Sequence, residues 1–129
     1  MKTTLTYTLF ICILLGCGKK PPAPEVEENV VFELNASQAA ISTNSSYDFK
    51  VTMKSKLPKA GIRIELSAAE EAGGAAVTPQ PAPVTTTAAT ADLSVQNLPR
   101  QKWVSATIKV TSVSTSTNTS TQTFRVVYK

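Results

Sequence analysis

From Asn29 to Lys129 apolar residues recur at every second position, and this two-residue period constrains the chain more than any other feature. The clearest instance is Tyr47, Phe49, Val51 and Met53 alternating with Asp48, Lys50, Thr52 and Lys54. Successive side chains of a strand point to opposite faces, so such a run describes a strand with one buried and one wet face. A helix would instead place its apolar residues three and four apart. Val30, Phe32 and Leu34 predict a first strand, Ile62, Ile64 and Leu66 a third, and Ala89, Ala91, Leu93 and Val95 another. Val104, Ala106, Ile108 and Val110 alternate with Ser105, Thr107 and Lys109, and Phe124, Val126 and Tyr128 close the set at six strands.

A seventh strand, at Ala75–Thr78 or Val84–Thr87, is weaker, because Pro79, Pro81 and Pro83 remove ladder donors between the two stretches. Turn chemistry separates the strands at Asn44-Ser45-Ser46, Pro58-Lys59-Ala60-Gly61, Gly73-Gly74 and Asn97-Leu98-Pro99. Thr111 to Thr123 is almost entirely Ser, Thr, Asn and Gln; threonine suits strands and the flanks keep the alternation, so a hairpin turning near Asn118 is expected. Ser67 to Ala72 is the one stretch able to form a helical turn, and it is too short to stand as a helix. The expected fold is all-β, a single antiparallel two-sheet sandwich of about seven strands. Its strand order resembles an immunoglobulin-like or fibronectin-type-III-like domain over residues 29–129, a resemblance of architecture that comes without the core disulfide of antibody domains.

The N-terminus is of another kind. Met1 and Lys2 supply a positive start, Leu5 to Leu15 form an 11-residue apolar run, and Leu14-Leu15-Gly16-Cys17 ends it with a small residue directly before a cysteine. That tetrapeptide resembles the lipobox of bacterial lipoproteins. The resemblance implies cleavage between Gly16 and Cys17, with Cys17 as the lipid-modified first residue of the mature chain. A buried hydrophobic strand or an ordinary secretory signal is the plainer alternative, but an A-x-A-like site is missing. A spanning helix needs about 20 apolar residues, and Lys19 and Lys20 stop the run short of that. A single acyl chain anchors weakly at about 0.8 kcal/mol per buried CH₂, whereas two or three on one residue hold almost permanently.

Residues 17–28 then read as lipidated cysteine and tether, since Gly-Lys-Lys-Pro-Pro-Ala-Pro-Glu-Val-Glu-Glu has too little apolar content to pack. In an extended proline-rich form it would reach roughly 34 Å from a bilayer. By resemblance to Gram-negative lipoprotein sorting, Gly18 after the cysteine, where an aspartate would retain the chain, argues for the outer membrane. Removing residues 1–16 leaves 113 of the 129, enough for one domain, and loss of Lys2 lowers the formal net charge from +4 to +3. On that resemblance Cys12 would leave with the signal peptide and the sulfur of Cys17 would carry lipid, so the mature domain would keep no thiol to pair. Its apolar core must hold it alone.

Composition narrows the chemistry. There is no histidine, which removes the usual general base and the commonest transition-metal ligand together. A dense basic stripe interleaved with aromatics is also missing, so no nucleic acid partner is expected. Glu70 and Glu71 are adjacent, and adjacent residues in extended chain point apart, so neither a metal site nor a carboxylate pair for hydrolysis is expected there. No cofactor is implied. Trp103, the single tryptophan, shares an alternation face with Ser105 and Thr107, so its half-exposed ring is a candidate sugar platform or interface anchor, with capping of a strand end as the plainer role. Lys54, Lys56, Lys59 and Arg63 are a candidate site for lipid phosphate, acidic glycan or an acidic partner, with a solvated face that discourages edge pairing as the plainer role. Asn118-Thr-Ser matches a glycosylation triplet and is read as chance. The function expected is a lipid-anchored, non-enzymatic envelope module for structure, adhesion or protein interaction; the alternative is a carbohydrate-binding accessory lipoprotein. Its partners would be the membrane, through the lipid on Cys17, and an envelope protein or glycan.

Overall fold

Eight strands carry the alternation, without a helix among the described residues: β1 (Phe32–Leu34), β2 (Ala39–Ser42), β3 (Tyr47–Met53), β4 (Ile62–Glu70), β5 (Val84–Thr86), β6 (Thr90–Val95), β7 (Trp103–Ser112) and β8 (Thr119–Tyr128). The structure, a computed structural model, describes Gly18 and residues 25–129; Gly16, Cys17, Lys19 and Lys20 lie outside the described residues. The strands form a three-stranded sheet in the order β1-β3-β6 and a five-stranded sheet in the order β2-β8-β7-β4-β5.

Two expectations are corrected. The sandwich is not wholly antiparallel, because β2 runs parallel to β8, with Ala39 opposite Arg125 and Ser42 opposite Tyr128. The chain reaches that position by leaving β1 in one sheet and crossing through residues 35–38 to the edge of the other. Nor does Ser67 to Ala72 form a helical turn: Ser67 to Glu70 continue β4 in register with Thr107 to Val104 of β7. Between the two positions open for a weak strand, Val84–Thr86 is β5, whereas Ala76 makes only an isolated bridge to Ala69. The Ser/Thr-rich stretch forms the expected hairpin, with residues 113–118 turning between β7 and β8.

The core lies between the sheets. Phe49, Val51, Met53, Leu93 and Val95 face it from one side, and Ile62, Ile64, Val104, Ala106, Ile108, Val110, Phe124 and Val126 from the other. Phe124 joins the layers, its ring centroid 5.1 Å from that of Phe49 and 5.8 Å from that of Tyr47. Edge-to-face contacts of this kind add about 0.5–1.5 kcal/mol to the burial itself. Gly61 closes the β3–β4 connection at φ 89°, where a side chain would meet the Thr86 carbonyl oxygen at 2.5 Å, so only glycine fits.

The register sorts the connections into two poles. The N-terminal segment, the β3–β4 loop, the β5–β6 turn and the β7–β8 turn gather at one end, which we call the entry pole. The β2–β3, β4–β5 and β6–β7 connections and the C-terminus gather at the far pole. A ten-residue strand such as β7 spans the distance between them, about 33 Å.

Candidate functional site

At the far pole Trp103 opens β7, on the outer face of the five-stranded sheet, and its ring is half-buried. On the neighbouring strand Arg125 faces outward between inward-facing Phe124 and Val126, and the register pairs it with Ser105, diagonally from Trp103. Diagonal neighbours on one sheet face are within reach of long side chains. The guanidinium carbon of Arg125 accordingly sits 4.3 Å from the centroid of the Trp103 ring. Nε and Nη2 of Arg125 both donate to the Glu71 carboxylate at 2.7 Å, and the Glu71 backbone N–H donates to the Trp103 carbonyl at 3.0 Å. These bonds to Glu71 hold the guanidinium pKa above its ordinary value. The pair is bidentate and flat, so Arg125 is fixed over the indole with little freedom left to lose.

This geometry decides what Trp103 can offer. The ring face under Arg125 is closed to a stacking sugar, and what the surface presents is an arginine–indole plate. Beside it the register sets Ile41 of β2 and Trp103 of β7 on either side of Val127, making an outward apolar row. Val127 is buried, whereas Ile41 is 59% exposed. Arg100 lies 5.9 Å from the Tyr128 ring centroid, and Lys102 Nζ pairs with Glu70 at 3.0 Å. Glu70 and Glu71 therefore point apart, each to its own cation.

The cation candidates do not form one cluster. Lys54, Lys56 and Lys59 lie at the entry pole, whereas Arg63 stands on β4, in register with Thr111 and Thr85 on the outer sheet face. Lys54 pairs with Glu33 at 2.8 Å, Lys59 with Glu25 at 3.4 Å and Arg63 with Glu65 at 3.3 Å. All these partners are exposed, and such pairs contribute little to stability. The carboxylates do remove most of the free positive charge that the sequence suggests.

Glu27 and Glu28, at the end of the expected tether, are fastened to the domain. Asn118 in the β7–β8 turn accepts from the Val30 N–H at 2.8 Å and donates through Nδ2 to Glu27 Oε1 at 2.7 Å and to the Glu28 carbonyl at 2.9 Å. Ser114 Oγ donates to Glu27 Oε2 at 2.5 Å, and the Lys56 N–H donates to Glu28 Oε2 at 3.2 Å. The Ser112 and Ser114 hydroxyls and the Asn118 amide favour the ionised form of Glu27 and hold its pKa below the ordinary 4.5. Sequence reasoning missed Arg125, Glu71, Glu27, Ser114 and Asn118 as site residues. The one usable signal was the place of Arg125 on the outward phase of its strand.

The chain matches no protein-family model, no curated protein and no solved structure.

Proposed function

We propose that the chain is a lipid-anchored lipoprotein of a bacterial outer membrane, and that its sandwich is a non-enzymatic interaction module of immunoglobulin-like architecture. The observation that carries this reading is polarity. The chain enters the sandwich at one pole, and the Trp103–Arg125–Glu71 plate stands at the other, a strand length away. An acylated Cys17 would put the membrane on the entry side and leave the plate facing outward. Tryptophan and arginine are the residues most enriched at energetic centres of protein interfaces, which favours a protein partner.

Strand order supports the immunoglobulin-like part. Labelling strands by order, β1-β3-β6 corresponds to A-B-E and β8-β7-β4 to G-F-C, with β5 beside C as C′ is in variable-type domains. The split first strand adds β2 to the G edge. The non-enzymatic part rests on the lack of histidine and on the engagement of Glu70 and Glu71 with separate cations. A carbohydrate-binding role is the second reading. Rows of hydroxyls favour it: Ser105, Thr107 and Thr111 on β7 lie beside Thr119, Thr121 and Thr123 on β8, all outward.

Cys17→Ala tests the anchor: metabolic acyl labelling is lost, the chain leaves the membrane fraction and the precursor stays unprocessed. Continued acyl labelling of that variant would overturn the lipoprotein reading. Two variants separate the surface readings. Loss of a crosslinked protein on Trp103→Ala supports the first, and loss of glycan retention on Thr107→Val with Thr123→Val supports the second.

A further inference from the structure

Lipidation gives a point of attachment and says nothing of how the domain lies on the membrane. The entry pole does. Because Glu27 and Glu28 are clasped by Asn118, Ser114 and Lys56, only the nine residues 18–26 are left to connect Cys17 with the clasped segment. Nine residues span at most about 32 Å even when fully extended. The clasp also fixes where that connection leaves, at the pole beside the β3–β4 loop and the β7–β8 turn.

The surface there has the composition of a lipid contact. Among the described residues four large apolar side chains are exposed, and three belong to this end: Val26 at 96%, Val31 at 51% and Val113 at 49%. The fourth, Ile41, is at the far pole. Between the clasped segment and the β3–β4 loop runs a groove of about 560 Å³, bordered by Val26 and Leu57 together with Lys56 and Lys59. Six charges at this pole are acidic or already paired: Glu27 and Glu28 spend their oxygens on donors of the domain, Lys54 pairs with Glu33, and Glu25 pairs with Lys59. Lys56 has no carboxylate within ion-pair distance among the described residues, and the Lys59 pair is almost fully in water, open to exchange for a phosphate.

We infer that the entry pole is a membrane-contacting surface, resting on anionic phospholipid headgroups with Val26 and Val113 at the acyl boundary and Lys56 and Lys59 at the phosphates. The proposal rests on the lipoprotein reading. Short reach, exposed valines and a cation rim act together, since juxtamembrane lysines are attracted to anionic leaflets and apolar tips add burial. The domain then stands upright, with its far pole held off the bilayer.

The test uses the full chain, acylated and reconstituted into vesicles of phosphatidylethanolamine and phosphatidylglycerol that contain a headgroup-attached quencher. Val113→Cys carries a polarity-sensitive fluorophore, and Ser45→Cys in the far-pole turn carries the same label in a second sample. Contact at the entry pole gives quenching at 113 at least about threefold stronger than at 45, and Lys56→Glu with Lys59→Glu reduces the difference, as does raised salt. Equal quenching at the two positions, or stronger quenching at 45, overturns the inference. The mass of Cys17 in the same preparation separates the two failures. An unacylated chain removes the lipoprotein reading and this one with it, whereas an acylated chain with an unquenched label at 113 removes this one alone.

Discussion

The two poles of the sandwich are held by different physics. At the entry pole hydrogen bonds join segments far apart in the chain, Asn118 to Glu27 and Glu28 and Ser114 to Glu27, so that the last residues before β1 are sewn to the last hairpin. At the far pole a stacked arginine, a bidentate carboxylate and an apolar row sit on the outer face of neighbouring strands. The first arrangement satisfies backbone groups and fixes a direction. The second leaves large, rigid side chains at the surface.

Asn118→Ala attacks the comparison most strongly. It removes three hydrogen bonds at once and leaves the Val30 N–H without its acceptor, at a cost of about 1–3 kcal/mol. Hydrogen exchange should accelerate over residues 27–31 and stay unchanged in the β2–β3 turn. If both poles loosen together, they are not separate units. Glu71→Ala is the matching change at the far pole, with a smaller effect, because the cation–π pair it releases is solvent-exposed. Trp103 is the single tryptophan, so its emission reports directly on Arg125. The emission should shift while exchange at residues 27–31 stays as it was.

The smallest effect is that of acid on the clasp. Glu27 has a folded-state pKa below 4.5, so its contribution is fully present above pH 4.5 and is lost as pH falls through the depressed value. Exchange at residues 27–31 should rise in that acid window, and Glu27→Gln should remove the pH dependence. A clasp that opens near neutral pH would contradict this assignment.

Strands with bulky inward residues were legible from sequence, because burying Phe49 and Val51 or Ile108 and Val110 on one face writes the period into the chain. Strand β2 escaped because its inward positions are Ala40 and Ser42, which carry almost no hydrophobic signal. Ser42 is buried by bonding, its hydroxyl donating to the carbonyls of Asn44 at 2.8 Å and Ser46 at 2.6 Å. Its parallel pairing depends on a crossing between sheets that no local pattern announces. Trp103 stood out by type, yet its partner Arg125 is 22 positions away and meets it only through the β7–β8 register. Asn118 looked like a chance triplet in a polar run, and its role becomes visible only when the N-terminal segment lies against it.

The central claim is that the entry pole serves attachment and the far pole serves recognition. Photo-crosslinking in intact cells tests it directly, with the reactive residue placed at Ile41 in one strain and at Val113 in another. The account predicts protein adducts from Ile41 and none from Val113. Protein adducts from Val113 alone, or equally from both positions, would contradict it.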